Sequence, residues 1–377
     1  MLTYIVLLAV LGACYAAGVG WILLGLRRSF GDKSPSPQQP LPTVAVVLPA
    51  RNEEQTIGSC LEALSKQDYP SHLWQLVVVD DASEDHTRER VLERTDRIPQ
   101  LRLMQAPAER GSVSPKKNAL LAAIAHTDGQ AILTTDADAR VGPHWISTMA
   151  GNLAGGAEAV VGPVFVRGAA NALQSFQHVE SVANATLSAA GLGWGVGITC
   201  IGANFGYTRK AFEEVGGFGP TAMAASGDDD LLLQRLTRSG LTACFVTEPG
   251  ATVYVGPNRS IGHLWSRRRR HLSAARKYPF ALRLAGAAWF LYSALIVAGV
   301  LIGAMGRADL LLIALAAWLW KAGLEAAAVQ QGAKAFGEPL GWRALLVAVV
   351  AHPWFFAAAV PASLFGKVAW RGRTLKA

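Results

Sequence analysis

Apolar positions fall in two long blocks at the ends of the chain and in short runs between them. Residues 2–26 carry no charged side chain. As a helix that stretch is about 37 Å long, enough to cross a hydrocarbon core of about 30 Å with some tilt. Apolar residues dominate again from Phe280. Over 280–305 only Arg283 is charged, near the start, where its long stem can snorkel. Residues 309–333 are interrupted by Lys321 and Glu325, which are spaced to pair on one helix face. Residues 344–366 are apolar but carry Pro353 and Pro361.

Between the blocks the pattern is that of a water-soluble domain. Residues 44–48, 76–79, 101–104 and 131–134 are short apolar runs and read as buried strands. Residues 53–66, 85–94 and 116–126 read as helices; in the first, Ile57, Leu61 and Leu64 share one face. Strands alternating with helices predict an α/β domain built on a mostly parallel sheet covered on both faces. Ligands of such sheets bind beyond the carboxyl ends of the strands. The predicted organisation is an N-terminal membrane helix at 1–28, a Pro/Ser/Gln linker at 29–42 and a soluble domain at 43–258. An interfacial helix at 259–279, membrane segments at 280–366 and a basic tail at 367–377 follow.

The formal charge of +8 matters less than its placement. Arg27 and Arg28 follow the first apolar block, which places the domain in the cytoplasm and the N-terminus outside. From Arg259 to Arg283 there is no acid, and Leu264, Trp265, Leu272 and Ala275 share one side of a basic amphipathic helix. Such a run suits anionic headgroups. It abuts a membrane segment and carries no nucleic-acid motif, so a nucleic-acid partner is not expected. The tail cations Lys367, Arg371, Arg373 and Lys376 should also lie inside, yet three crossings after the domain would put them outside. Either 344–366 is a Pro-broken re-entrant segment, the favoured solution, or 309–333 lies in the interface. The four cysteines are far apart, without metal-ligand spacing or a disulfide framework, and read as free thiols. Cys14 sits in a loose lipoprotein-like box, but the apolar run continues past it, so the helix is expected to be retained.

Three acidic clusters carry the candidate chemistry. Asp136 and Asp138, just past a buried strand, are hard oxygen ligands for Mg²⁺ or Mn²⁺ next to a diphosphate; a solvated turn is the plainer alternative. Asp80 and Asp81 end the second strand, where they can accept from a base N–H or a ribose hydroxyl, while Ser83 or Asp85 can cap the next helix. The turn after the first strand, Pro49 to Glu53, aims Arg51 at the same edge. Lys116 and Lys117 open a helix and can meet a phosphate, or simply be solvated there. Asp228, Asp229 and Asp230 open another helix. They suit its dipole, but three in a row repel, so one can have a raised pKa and act as general base.

These residues, in this order from about 44 to 270, resemble the inverting GT-A-fold glycosyltransferases. That family includes cellulose, hyaluronan and chitin synthases, ceramide glucosyltransferases and polyprenyl-phosphate sugar transferases. The resemblance implies a Rossmann-like nucleotide-diphospho-sugar transferase domain between membrane helices. It implies donor contacts from Pro49, Arg51, Glu53, Asp80, Asp81, Lys117 and Asp136, and a metal held by Asp138 with Asp136. It makes Asp229 the base, with Asp228 next. The family's last motif, Gln/Arg-x-x-Arg-Trp, is matched by Arg267 and Arg270, which can meet the diphosphate, but His271 stands at the tryptophan. That departure, with few membrane helices to form a channel, turns the expected acceptor from a growing polymer to a lipid. The lipid would pass the basic helix and Trp289, Trp318, Trp320 and Trp354. A processive synthase and a non-catalytic nucleotide-sugar-binding scaffold are the alternatives; intact acids in all three clusters argue against the second.

Overall fold

The computed structural model describes residues 1–31, 40–109, 113–167, 170–224, 226–364, 368–370 and 373–375. Most of the expected linker and the tail cations Lys367, Arg371 and Lys376 lie outside these. The elements in chain order begin with α1 (Leu2–Gly31), β1 (Val44–Ala50), α2 (Ile57–Leu64), β2 (Trp74–Asp80), α3 (Thr87–Leu92) and β3 (Leu101–Gln105). Then come α4 (Pro115–Ala125), β4 (Ala131–Thr134), β5 (Ala139–Val141), α5 (Trp145–Ala154), β6 (Ala159–Val161) and β7 (Val164–Val166). The domain continues through α6 (Ala172–Leu192), β8 (Phe205–Thr208), α7 (Arg209–Glu214), α8 (Asp230–Arg238), β9 (Ala243–Phe245) and β10 (Val253–Val255). The chain closes with α9 (Ile261–Ala274), α10 (Phe280–Ala304), α11 (Ala308–Phe336), α12 (Trp342–Leu364) and a hairpin of β11 (Val368–Trp370) and β12 (Arg373–Leu375).

The main sheet runs β3-β2-β1-β4-β8-β6-β9. Its first four strands are the parallel set expected from the sequence. Strand β8 runs antiparallel to both β4 and β6. A small sheet, β5-β10-β7, stands beside it. Alternation along β1 feeds two cores, as a buried strand must. Val44, Val46 and Leu48 pack with α2, α3 and α5. Val47 joins α4, α6 and α8 on the other face.

That second core continues without a break into the membrane helices, since Leu26 of α1 and Val329 of α11 belong to it. Helix α6 is the platform. Ser29 Oγ donates to Ala189 O at 2.6 Å, and Trp194 stacks on Trp21 with ring centroids 5.7 Å apart. Gly332 allows α11 to touch α6 at Thr186, where a Cβ would collide with the threonine side chain. The backbones can approach this closely only with hydrogen at that position.

Among the described residues, four helices are long and apolar enough to cross a membrane: α1, α10, α11 and α12. The last corrects the sequence reading. Residues 344–364 are not broken at proline; α12 is one helix with Pro353 and Pro361 inside it. Pro353 has no N–H to give the carbonyl four residues earlier. That carbonyl, Val349 O, instead accepts from the Trp318 indole at 3.3 Å. At the helix end, Arg269 and Arg276 donate to the carbonyls of Ala362 and Ser363 at 3.0 and 3.1 Å. Just before its start, Glu338 accepts from the Tyr254 hydroxyl of β10 at 2.5 Å. Both flanks of α12 therefore meet elements of the soluble domain and its basic helix.

Because the Trp318 indole replaces a missing backbone donor, Trp318→Phe leaves a partly buried carbonyl unsatisfied. The expected loss is roughly 1–3 kcal/mol, read as a lowered melting temperature in detergent. An unchanged melting temperature would mean that the proline gap is satisfied in some other way.

Candidate active site

The first two loops at the carboxyl edge are braced against each other. Arg51 is buried, and its guanidinium donates to Asp81 O and Ala82 O at 2.6 Å each and meets Glu84 at 2.9 Å. Its guanidinium thus shapes the acidic loop from within. Ala82 needs that support: its φ of 53° is a left-handed conformation that costs a non-glycine residue about 1 kcal/mol or more. Asp80 Oδ1 accepts from Ser83 N at 3.1 Å, and both Asp80 and Asp81 are buried at the strand end. Neither capping candidate is the N-cap of α3, which is His86 without a side-chain cap bond; Asp85, one residue earlier, accepts from Thr87 N at 3.0 Å. Ser83 Oγ instead accepts from Asn52 N at 3.1 Å. Glu53 Oε2 accepts from the Thr56 hydroxyl at 2.7 Å, and Pro49 lies within β1.

The two lysines divide. Lys117, expected at the phosphates, is fully buried. Its ammonium donates to the carbonyls of Thr221, Ala224 and Ser226 at 2.7, 3.1 and 3.0 Å. An ammonium has three donors, and these contacts engage them on the loop that leads into α8. Lys116 is the one among the acids: its Nζ lies 3.0 Å from Asp136 and 2.8 Å from Asp228. Burial opposes its charge, but Asp136, Asp228 and Asp229 outweigh that and hold the ammonium well above its ordinary pKa.

Asp229 is the N-cap of α8. One carboxylate oxygen accepts from Asp230 N and the other from Gly202 N, each at 2.8 Å. Each oxygen keeps a second lone pair. Gly202 packs closely here: a Cβ would sit 3.2 Å from Lys116 Nζ and 3.3 Å from Asp228 Oδ2, and these groups would have to give by a few tenths of an ångström. The three acids are electrically distinct. Burial pushes Asp228 up, but Lys116 more than reverses this and keeps it ionised. Burial and the charge of Asp228 raise Asp229 above the usual carboxylate range. Burial and Asp229 raise Asp230 further, to about 8, and it hydrogen-bonds the Tyr278 hydroxyl.

Asp138 follows Asp136 at the end of β4, both partly buried. Among the described residues no group of three His, Cys, Asp or Glu side chains converges as a metal cage. These two carboxylates still suit a hard divalent cation that takes its remaining oxygens from phosphate and water. Beneath them the Cys60 thiol donates to Asp136 O at 3.5 Å and is a buried, inert thiol. From the far side, α9 brings Arg270 towards Asp228, Asp136 and Asp229, with Arg267 beside it. Burial, with Arg270, Arg267 and Arg268 nearby, holds His271 well below its ordinary pKa, so it adds no charge. A surface depression of about 1170 Å³ lined by α2 and β5 contains none of the aspartates above.

Two contributors carried no motif. Gly202 lies in an unpatterned stretch. Asn204, fully buried, donates to Pro163 O and Ala251 O at 2.9 and 2.7 Å and accepts from the Trp145 indole at 2.9 Å. It thereby knots together the backbone under the site.

The chain has counterparts among known proteins. Residues 131–359 match Glycosyl transferase family group 2, and residues 45–216 match Glycosyl transferase family 2. A beta-monoglucosyldiacylglycerol synthase of Synechocystis is 34% identical over 102 residues, which are 27% of this chain and 21% of that protein. A probable glycosyltransferase, YdaM, of Bacillus subtilis is 30% identical over 192 residues, 49% of this chain and 44% of that one. A dolichyl-phosphate beta-glucosyltransferase, ALG5C, of Trichomonas vaginalis is 33% identical over 123 residues, 28% of this chain and 35% of that one. The chain thus spans less than half the length of these curated relatives. Among solved structures, the mannosyltransferase PcManGT of Pyrobaculum calidifontis, in complex with GDP-Man and Mn²⁺, superposes with a TM-score of 0.61 at 22% identity. The match covers 96% of this chain and 99% of that one, and it shows the shared GT-A fold.

Since Lys117 braces a loop, Lys117→Met should lower the melting temperature by more than about 5 °C, through three carbonyls left without a donor. An unchanged melting temperature with weakened nucleotide binding would return Lys117 to the donor site.

Proposed function

The chain belongs to Glycosyl transferase family group 2, and from that premise we propose that it moves a sugar from a nucleotide-diphospho-sugar, uridine-linked, to a membrane lipid with inversion at the anomeric carbon. The observation that carries this reading is the placement of Asp229. It caps α8 with a raised pKa, between a lysine-bridged acid pair and a basic helix packed on membrane helices.

On this reading the donor lies along the carboxyl edge, its base and ribose at Asp80 and Asp81 and its diphosphate facing Lys116, Arg270 and Arg267. Pro49, Arg51 and Glu53 shape the floor. Asp136 and Asp138 would hold Mg²⁺ or Mn²⁺, which when bound neutralises charge on the leaving diphosphate. The acceptor hydroxyl approaches Asp229, which takes its proton. The hydroxyl oxygen forms a bond to the anomeric carbon as the bond to the diphosphate oxygen breaks on the opposite face. A raised pKa makes Asp229 a stronger base than an ordinary carboxylate, while two backbone N–H groups hold its orientation. Burial raises Asp229, and Asp228, kept ionised by Lys116, adds negative charge that raises it further.

The relatives named for diacylglycerol and dolichyl phosphate act on lipids, which supports a lipid acceptor. The cytoplasmic side is the side proposed for the domain. Arg27 and Arg28 lie in the last turns of α1, next to the domain, and the basic helix α9 follows the domain directly.

Asp229→Asn should lower transfer by about 10²–10⁴-fold while donor affinity by calorimetry stays within a few-fold. Asp138→Asn should instead weaken donor binding and its response to Mg²⁺ or Mn²⁺. Sustained turnover in Asp229→Asn would remove it from the role of base.

A further inference from the structure

Asp230 is a buried carboxyl to which the mechanism above gives no part. An acid is costly to bury unless its oxygens find partners. Both oxygens do: Oδ1 accepts from Leu231 N at 2.7 Å, and Oδ2 meets the Tyr278 hydroxyl. Burial and the neighbouring Asp229 raise Asp230 to about 8. Near neutral pH it therefore keeps its proton and adds no third negative charge beside Asp228 and Asp229.

Tyr278 comes from a different part of the fold. A single turn, Ala275–Lys277, separates it from α9, and Pro279 stands between it and α10. Its ring packs against a small buried cluster of Ala224, Leu231 and Ala274. Lys117 holds the carbonyl of Ala224, Leu231 lies in the first turn of α8, and Ala274 ends α9. In the same turn, Arg276 donates to Ser363 O of α12 at 3.1 Å. The junction is thus held both to α8 and to α12, and it leads directly into α10.

The contact reaches the proposed base in one step. Asp230 N donates to Asp229 Oδ1 at 2.8 Å, while Gly202 N restrains only the other oxygen. The first N–H groups of a helix lack intrahelical partners, so its first turn depends on contacts from outside. Here the outside contact is the Tyr278 hydroxyl, which fixes the residue whose N–H orients the base. Proton transfer from an acceptor hydroxyl tolerates little displacement of that base.

We propose that Tyr278 is a positioning residue: through Asp230 it ties the start of α8, and with it Asp229, to the junction where the membrane helix α10 begins. This rests on the transfer reading above and adds to it the part of the chain that aligns the base.

The test uses the full chain in nanodiscs and the variant Tyr278→Phe, which removes one oxygen and keeps the packed ring. Hydrogen–deuterium exchange should become about tenfold faster in the first turn of α8 and stay unchanged in β1. With a panel of nucleotide-diphospho-sugars and extracted membrane lipids, kcat should fall about 10- to 100-fold while the donor KM stays within about twofold. In an Asp230→Ala background, Tyr278→Phe should change kcat by less than about twofold, because its effect passes through Asp230. Unchanged exchange overturns the proposal, as do an unchanged kcat, a loss carried by KM, or additive losses in the double variant. Where Asp230→Ala lacks a cooperative melt, exchange and kcat of Tyr278→Phe decide alone. A wild-type chain that turns over none of the donors removes the transfer reading instead, and the exchange result still decides the link between Tyr278 and α8.

Discussion

The ammonium of Lys116 is the constraint on which the site depends. It joins Asp136, at the end of a parallel strand, to Asp228, at the start of a helix from the other half of the domain. Two carboxylates about 4 Å apart repel by about 4 kcal/mol at an effective dielectric near 20. Without a shared cation the strand end and the helix start would be driven apart. With it, Asp228 stays ionised; burial raises its neighbour Asp229, the charge of Asp228 adds to that rise, and Lys116 opposes it. One lysine therefore joins the two halves of the site and keeps Asp228 charged.

The supports around this contact are backbone groups more than side-chain pairs. Lys117 gathers three carbonyls of the loop before α8, Gly202 N holds Asp229, and Thr134 Oγ1 donates to Gly202 O at 2.8 Å. The same principle operates at the membrane side. Arginine side chains cap α12, a tryptophan fills its proline gap, and α6 carries the domain's second core across to α1 and α11. Site and membrane helices form one continuous body, so an acceptor in the bilayer can be held in register with a donor on the sheet.

Periodicity was enough to find the parallel half of the sheet, because buried parallel strands are continuous apolar runs ended by their functional acids. The strands at 131–134 and 101–104 and the helix opening at Lys116 all appear within a residue or so of their predicted positions. The antiparallel strands β6 and β8 were not legible: they are three and four residues long, with a glycine in one. Helix α6 is buried on several sides at once and so lacks a single apolar stripe. Of the site, the acids could be read as clusters, since neighbouring carboxylates at the end of a buried strand repel each other and need a cation or a donor to face them. Which lysine meets them could not be read, because Lys116 and Lys117 are adjacent and only the carbonyls of Thr221, Ala224 and Ser226 decide which is enclosed. The unbroken α12 was missed for a similar reason: the donor that rescues Pro353 is Trp318, which comes from a different helix, α11.

A base at Asp229 implies a single displacement, and the most direct test is the configuration of the product. The chain, reconstituted with an α-linked nucleotide-sugar and extracted lipids, should yield a glycolipid whose anomeric proton coupling, read by NMR, is that of the β-anomer. An α-anomer would require either two displacements or front-face attack, and would contradict the role assigned to Asp229.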